Sequence, residues 1–220
     1  PDNNGIVWKL ESRKTGISIQ YKKVLDSSDY LNPPAFYSYN MPVQIVKTGT
    51  YQAWAVENGY RPGNAITQKF ILSKSTGKKV SLSGEASKNY PGDGPFTLVN
   101  GIQNEKGMSR TKEFLGFNGT DCIATIDMGK EEIISFVKLH YLHHPGSWIH
   151  QPSSVIVSVS TDGINFTTIA LSNPTITNNE AVCEFLQPAN ARYVKIHAAN
   201  FGKIPAGNPG AGSKAWLFVD

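Results

Sequence analysis

The chain has 220 residues, of which 40% are hydrophobic and 17% are charged. This balance is typical of a folded globular protein, and the length suffices for one large or two small domains. The formal net charge is only +4, and the basic residues are spread thinly rather than gathered on one face, as in a nucleic-acid-binding protein. No apolar run approaches the ~20 residues that span a membrane. We therefore expect no nucleic-acid partner, and these features disfavour a membrane partner.

Short strand signals dominate the chain. Residues 17–21, 50–56 and 155–159 alternate apolar and polar side chains, which is the period of a β-strand. Further strands are predicted at 123–128, 134–141, 166–170, 181–185 and 193–198. Turn pairs that adopt positive φ at low cost separate the strands: Asn58-Gly59, Asn100-Gly101, Asn118-Gly119 and Asp162-Gly163. No run of four helical turns is found, so we predict an all-β protein.

A change in composition divides the chain. Lys, Ser, Thr and Gly crowd together in residues 73–84, and we interpret this stretch as a linker. The short strands before it suit a small immunoglobulin- or fibronectin-like β-sandwich, and the longer stretch after it suits a β jelly roll. The predicted domains are residues 1–80 and residues 81–220.

Long polar, Gly-rich loops separate the strands of the second predicted domain. They are residues 88–94, 103–119, 143–151 and 200–215. Loops of this length that lack secondary structure are usually functional or disordered. Because aromatic and cationic side chains occur along them, we favour a functional role at one end of a rigid sandwich.

An ordered series of motifs occupies the second predicted domain. It runs Leu-Val-Asn-Gly at 98–101, Phe-Leu-Gly-Phe-Asn-Gly at 114–119, Ala-Thr-Ile-Asp-Met-Gly at 124–129, Trp-Ile-x-x-Pro at 148–152, Val-Ser-Val-Ser-Thr-Asp-Gly-x-x-Phe at 157–166 and Ala-Arg-Tyr-Val-Lys-Ile at 191–196. In this order the motifs resemble the discoidin, or coagulation-factor C-type, domain, whose fold the family 32 carbohydrate-binding modules share. The resemblance covers residues 84–220. It implies a galactose-binding-like jelly roll with sugar- or lipid-binding loops at one end.

The first predicted domain carries a second resemblance. Ile19-x-Tyr21, Tyr37, Pro42-Val43, residues 49–56 and residues 68–70 are similar to the small C-terminal sandwich of chitobiases and β-hexosaminidases. The Asp-Gly turn usual in that family is absent, and Asp26-Ser27-Ser28 lies in its place. The tandem, ending in Ala-Trp-Leu-Phe-Val-Asp at 215–220, resembles the tail of bacterial, Bacteroides-type family 20 glycoside hydrolases, in particular β-N-acetylhexosaminidases. Their catalytic (β/α)8 barrel with its Asp-Glu pair needs about 250 residues, so we expect it to lie outside this sequence.

The acidic residues do not suggest catalysis within these residues. Glycoside hydrolysis needs two carboxylates that face each other across a cleft. Glu131 and Glu132 are adjacent and would point to opposite faces of a strand, while Asp121 and Asp127 suit turn or sheet-end hydrogen bonds. We therefore predict no catalytic residues in this chain.

The loops do offer the side chains that a sugar site needs, namely an aromatic platform beside hydrogen-bonding groups. His143, His144, Trp148 and His150 form one cluster. The predicted ligand-binding residues are His143, His144, Trp148, Arg110, Phe201 and Asn208. Trp148 and Trp216 are alternatively core residues, the loop histidines are alternatively only solvent-exposed, and Trp54 is expected in the core of the first domain.

A cation and a disulfide are two further alternatives. The resembled family often holds a structural Ca²⁺ near a Leu-x-Asp-Gly turn, and here the equivalent position is Asn100, which removes one charge from the oxygen ligands that Ca²⁺ prefers. Asn100 is the predicted metal residue, and no cofactor is required. Cys122 and Cys183 fit no zinc spacing, and they are either two buried thiols, which we slightly favour, or one disulfide.

Together these features predict a non-catalytic accessory region of an exported glycoside hydrolase, located in the periplasm, on the outer-membrane surface or outside the cell. Its expected partners are a glycan containing N-acetylhexosamine or galactose, bound weakly, and the catalytic barrel of the parent chain. The alternative is a structural or adhesive module that contacts a protein or a membrane without binding sugar. The candidates for exposed apolar side chains that would insert into a membrane are Phe114, Leu115 and Phe117.

Overall fold

The computed structural model describes residues 5–24, 35–57, 64–172 and 179–220. These residues form two compact units. The first unit comprises the chain up to Gly77 together with Asn100–Gln103, and the second comprises Lys78–Val99 and Asn104–Asp220. Asp26-Ser27-Ser28 and the turn predicted at Asn58-Gly59 lie outside the described residues. Within the described part of the chain, no helix has the length and apolar character needed to cross a bilayer.

Short strands make up most of the regular structure. In chain order they are β1 (Ile6–Trp8), β2 (Ser18–Lys23), β3 (Tyr37–Ser38), β4 (Val43–Ile45), β5 (Gly49–Val56), β6 (Ile66–Phe70), β7 (Lys79–Leu82), β8 (Gly92–Pro95), β9 (Ile102–Gln103), β10 (Leu115–Asn118), β11 (Cys122–Leu142), β12 (Ser154–Ser160), β13 (Thr167–Ser172), β14 (Glu180–Ala199) and β15 (Trp216–Val219). Three 3-10 helices are described, at Phe96–Val99, Gly107–Glu113 and Pro145–Ser147. The all-β prediction is confirmed.

The first unit contains two antiparallel sheets. One pairs β1 with β4, and the other has the order β3-β2-β5-β6-β9. Ile6, Ile45 and Phe70 are its buried core, and Trp8 and Tyr51 pack against them. Because side chains alternate along a strand, Trp54 points away from the side where Tyr51 lies. It is half-buried beside Phe36, so the expectation that Trp54 belongs to the core was wrong.

The second unit is a jelly roll, as predicted. Its strands follow the order β10-β15-β11-β14-β12-β13, and β7 pairs with β11. Strand β11 is 21 residues long and is antiparallel to β14 along most of its length, with register shifts between Asp127 and Glu132 and between Ile134 and Phe136. Two predicted strands therefore merge in β11, and two more merge in β14, because the irregularities bend the ladder without ending it.

Alternation along the strands places the core of the second unit. In the first part of β11 the inward side chains are Cys122, Ala124, Ile126 and Met128, and those of β12 and β14 in the same sheet include Val155, Val157, Val194 and Ile196. Phe114, Leu115 and Phe117 are 0–1% exposed. These three residues therefore belong to the core and cannot be the exposed apolar spikes that the membrane alternative required.

The stretch predicted to be a linker is partly sheet. Residues 79–82 form β7, which pairs with β11 from Lys79 opposite Asp127 to Leu82 opposite Ala124. Ahead of β7, the buried Thr76 closes a turn because its hydroxyl accepts a hydrogen bond from the Ser73 backbone N–H (2.9 Å). The polar composition here reflects an exposed edge strand rather than a free tether.

Candidate functional site

Two loops of the second unit meet through strand β15. The first is residues 143–151, the second is residues 200–215, and we call them the loop pair. The His150 N–H donates to the Trp216 carbonyl (2.9 Å), and the Trp216 N–H donates to the Trp148 carbonyl (2.8 Å). Within the second loop, the Ile204 N–H donates to Ser213 and the Gly212 N–H donates to Ile204, both at 2.9 Å. These main-chain hydrogen bonds fix the conformation of both loops, although residues 200–215 contain no helix or strand.

Trp148 is a large aromatic side chain that the loop pair presents to solvent. It follows the 3-10 helix Pro145–Ser147 and has φ 64° and ψ 16°, a left-handed conformation that is a genuine outlier for a bulky residue. Its exposed fraction is 41%, so Trp148 does not belong to the core. Such strained backbone persists only where the surroundings enforce it, and it is concentrated at functional sites.

The back of the indole rests on a glycine of the second loop. A Cβ atom built on Gly210 would lie 2.4 Å from Cε2 and 2.5 Å from Nε1 of Trp148, and Gly210 itself has φ +78°. Only glycine permits both the contact and the backbone conformation. Gly210 is thus a positioning residue that no prediction from the sequence had named, although the Gly-rich composition of the loop was visible.

A row of three rings continues from the first loop to the second. The His143 and His150 rings meet edge to face, with centroids 5.7 Å apart, and His150 stacks on Phe201 at 4.8 Å. His143 Nδ1 accepts a hydrogen bond from the Gln151 N–H (3.3 Å). The predicted residues His143 and Phe201 are therefore brought together, with His150 between them.

Burial sets the protonation of these histidines. It lowers the pKa of His143, with a further lowering by the neighbouring His150, and it also lowers the pKa of His150. Both rings are accordingly neutral at pH 7, so each can offer one donor and one acceptor nitrogen. Two buried atoms at this place, His150 Nε2 and Gln151 Oε1, have no hydrogen-bond partner among the described residues. Buried polar atoms rarely lack a hydrogen-bond partner in folded proteins.

The other predicted ligand-binding residues have different contacts. His144 is exposed, and its backbone pairs with Ile149. Asn208 is half-buried in the second loop, where its N–H donates to the Pro205 carbonyl (3.3 Å). Arg110 lies in the 3-10 helix Gly107–Glu113, and its guanidinium binds Glu113 at 2.8 Å.

The carboxylates near the strand ends are engaged in hydrogen bonds. Asp127 receives two bonds from the Arg192 guanidinium (2.9 and 3.0 Å), which hold its pKa below the ordinary value. Burial opposes ionisation of Asp121, but hydrogen bonds from His197 and the Asn200 N–H lower its pKa overall. His140 is likewise bonded to Asp220. His140 and His197 are thus structural histidines with carboxylate partners.

The predicted cation residue, Asn100, uses its side-chain oxygen within the first unit. Its Oδ1 accepts a hydrogen bond from the Ile102 N–H (2.7 Å), and the residue is 8% exposed. Across the described ranges, no group of three or more His, Cys, Asp or Glu side chains is placed to hold a metal ion. Asn100 thus offers one neutral side-chain oxygen that is already bonded to the Ile102 N–H, and a Ca²⁺ site at this turn stays a prediction.

The cysteines are separate thiols. Cys122 lies opposite Ala198 and Cys183 opposite Val137 in the β11–β14 ladder, and both are free and buried. Cys183 Sγ donates weakly to the Val155 carbonyl (3.6 Å). The alternative of one disulfide between them is therefore not what the structure has.

Comparison with known proteins adds one family match. The family model described as the F5/8 type C domain matches residues 83–214. Among solved structures, a fucose binding module of Streptococcus pneumoniae is 15% identical and covers 68% of this chain and 94% of its own, with a TM-score of 0.45. Chitosan-binding module 1 from a chitosanase/glucanase of Paenibacillus sp. IK-5 is 16% identical and covers 68% of this chain and 98% of its own, with a TM-score of 0.43. No curated protein matches the chain.

Proposed function

This chain belongs to the F5/8 type C domain family, and from this membership we propose that its second unit is a glycan-binding module. The loop pair is the proposed binding surface, and Trp148 is its platform. The observation that carries the proposal is the pairing of Trp148 with Gly210. A 41% exposed indole is held in a costly left-handed backbone conformation and is supported from behind by a residue without a side chain.

This arrangement suits the chemistry of a sugar ring. The C–H face of a pyranose is apolar and packs on an indole, while its hydroxyls need donors and acceptors at the ring edge. The exposed His144 side chain and the half-buried His143 lie in the same short loop as Trp148. Because His143 is neutral at pH 7, it can bind a hydroxyl without the desolvation cost of a charged group. The proposed ligand is a glycan that contains N-acetylhexosamine or galactose.

The proposed affinity is weak. The described platform is a single indole on an open surface, and a ligand that buries little area retains little net free energy after it loses its own freedom of motion. A dissociation constant on the order of 1 mM corresponds to about −4 kcal/mol, which is adequate for a module that acts beside a tethered catalytic domain.

The wider biological setting is part of the same proposal. We infer that the chain is a non-catalytic accessory region of an exported glycoside hydrolase of the β-N-acetylhexosaminidase type, found in the periplasm, on the outer-membrane surface or outside the cell. The second unit would hold the enzyme at its glycan or pack against the catalytic barrel, and the first would serve as spacer. Support comes from the tandem of motifs and from residues 215–220.

A binding measurement on the 220-residue chain tests the sugar site. Glycan-array binding, followed by titration of N-acetylglucosamine, N-acetylgalactosamine and galactose oligosaccharides, is expected to give saturable weak binding. Trp148→Ala should weaken it at least roughly tenfold, the loss expected for one stacking platform, and His144→Ala should weaken it less. Lys130→Ala, at an exposed position on β11, is the matched control and should bind as the parent chain does. If no glycan on the array binds, or if all variants bind equally, the proposal is contradicted and a structural or adhesive role is favoured.

A further inference from the structure

We propose that the first unit carries a second saccharide-binding surface, and that this surface takes sugars bearing an anionic group. The surface is the side of the five-stranded sheet that faces away from the β1–β4 sheet. It consists of Gln20 and Lys22 on β2, Phe36 beside β3, and Gln52 and Trp54 on β5, and we call it the Trp54 face. The proposal concerns a different unit from the loop pair and does not depend on glycan binding there.

Two aromatic rings form the apolar part of the Trp54 face. The rings of Phe36 and Trp54 meet edge to face, with centroids 5.5 Å apart and an interplanar angle of 61°. Phe36 is 44% exposed and Trp54 is half-buried, whereas the rings on the other side of the sheet, such as Phe70 at 2% exposure, are enclosed. An edge-to-face pair with one open ring offers an angled apolar surface of the kind that a sugar ring packs on.

A cation sits over both rings. The Lys22 ammonium lies 4.9 Å from the centroid of Phe36 and 5.5 Å from that of Trp54, within the range of a cation–π contact. No carboxylate of the described residues pairs with it. The rings therefore hold the position of the ammonium while no acidic side chain in the described ranges compensates its charge, which leaves it able to bind an external anion.

Amide side chains flank this cation on the same side of the sheet. The β2–β5 register places Gln20 opposite Trp54 and Lys22 opposite Gln52, and directly opposed residues share one face. Gln52 Nε2 donates to the Thr67 hydroxyl on β6 (3.4 Å). Each amide combines an acceptor oxygen with donor hydrogens, so these side chains suit the hydroxyls of a pyranose.

The ammonium decides the class of sugar. A neutral glycan could use the rings and amides but would leave Lys22 without a new partner. A uronic acid places a carboxylate at the edge of the same ring that packs on the aromatic pair, and a charge-assisted hydrogen bond to an ammonium is stronger than a neutral one. The geometry of the Trp54 face therefore fits a uronate-containing oligosaccharide better than a neutral one.

The test compares an acidic with a neutral ligand on the whole 220-residue chain. Binding of a galacturonate oligosaccharide and of the matching carboxyl-reduced, neutral oligosaccharide is followed by NMR chemical-shift titration of the Lys22 and Trp54 signals, because the neutral, galactose-containing oligosaccharide is also a proposed ligand of the loop pair. We expect the acidic oligosaccharide to bind with the higher affinity and to lose affinity as salt is added, since exposed charge pairs are screened. Equal binding of the two oligosaccharides, or no binding of the acidic one, would overturn the proposal.

Matched variants then locate the site. Lys22→Gln should weaken binding of the acidic oligosaccharide roughly fivefold, as expected for the loss of one exposed charge pair, and Phe36→Ala, at an exposed ring that the fold does not enclose, should weaken it further. Lys47→Gln alters an exposed lysine elsewhere in the same unit and should change nothing. Trp148→Ala should also leave this binding intact, because it alters only the loop pair. If Lys22→Gln and Lys47→Gln bind equally well, or if Trp148→Ala abolishes the binding, the Trp54 face is not the site.

Discussion

The indole of Trp148 packs directly against the backbone of Gly210, a contact that requires a residue without a side chain at position 210. The indole occupies the space where a side chain on residue 210 would begin, 2.4 Å from Cε2 to the position of a Cβ atom. At the same time Trp148 takes a left-handed backbone conformation that brings its side chain over the second loop. The platform of the proposed sugar site is therefore made by two loops that are distant in the sequence.

Gly210→Ala should displace the indole and weaken glycan binding by the loop pair. The new methyl group clashes with Trp148, and the backbone also has to keep φ +78°, which costs a non-glycine residue about 1–2 kcal/mol. Gly212→Ala is the matched control, because Gly212 has φ +84° but no atom within 4 Å of the added Cβ. Near-UV circular dichroism and glycan titration should separate the two variants. Equal loss of binding in both would mean that backbone strain, and not the indole contact, is responsible.

Acidification should destabilise the second unit through His143 and His150. Their pKa values are lower in the folded chain than the ordinary value of 6.5, so the unfolded chain takes up protons first as the pH falls through that value. The unfolded state then binds more protons than the folded state, and the free energy of unfolding decreases with falling pH. Urea unfolding at about pH 7 and about pH 5, on either side of the ordinary histidine pKa, measures the decrease.

Two histidine variants identify the source of this pH dependence. His150→Phe removes a buried ring nitrogen that has no partner among the described residues and keeps an aromatic ring against Phe201. It should reduce the difference in stability between the two pH values. His144→Gln removes an exposed ring whose charge is the smallest of the causes that lower the pKa of His143, so it should reduce the difference less than His150→Phe does. The opposite ranking would exclude the buried rings as the cause.

Asp220 should matter strongly for the stability of the second unit. Its carboxylate, 1% exposed, binds His140 and accepts a hydrogen bond from the Asn104 N–H (2.8 Å), and His140 in turn stacks on Phe114. Removing one partner from such a buried pair typically costs about 3–5 kcal/mol. Asp220→Ala is expected to show most of that loss in thermal unfolding, and Asp220→Asn, which keeps an acceptor, is expected to show less. An unchanged melting temperature for Asp220→Ala would contradict this account.

Both cysteines should be unreactive until the protein unfolds. Burial, together with the charge of Asp121, raises the pKa of Cys122 to about 12, and burial also raises the pKa of Cys183. The nucleophilic thiolate is therefore scarce at about pH 8. A thiol-reactive chromophore should label neither residue in the native chain and both in denaturant without reductant. Lys130→Cys, at an exposed position, should be labelled at once. Absence of labelling in denaturant would instead indicate a disulfide.

The sequence predicts the central strands of the second unit, because alternation and turn glycines are local signals. It does not predict β8 and β10, which overlap residues 88–94 and 103–119, two stretches predicted to be loops. Residues 155–159 were predicted to form a strand, and β12 spans Ser154–Ser160. The merging of strands into β11 and β14 could not be predicted, since a register shift inside a ladder has no separate signature in one strand. The composition of residues 73–84 predicts a linker, and this prediction is wrong for β7 because edge strands carry the same Lys and Ser residues as tethers.

The sequence predicts which residue types line the candidate site, but it does not predict where their side chains lie. His143 and Phe201 do come together, yet the ring between them, His150, was not among the predicted ligand-binding residues. The position of Trp148 depends on its left-handed φ, which no residue preference for tryptophan suggests. Trp54 was assigned to the core because an aromatic residue in a strand usually faces inward, and only the register opposite Gln20 reveals its side of the sheet.

The pairing of distant strands also determines when the proposed sugar site can form. Leu115 pairs with Val219, and Cys122 pairs with Ala198, so large loops must close before these ladders gain their stability, and folding on the millisecond-to-second scale is expected. Strand β15 follows every other described strand in the sequence, and it is the strand to which the Trp148 loop is bonded. On a translating ribosome, which adds about 5–20 residues per second, the loop pair cannot assemble until Trp216 has left the exit tunnel.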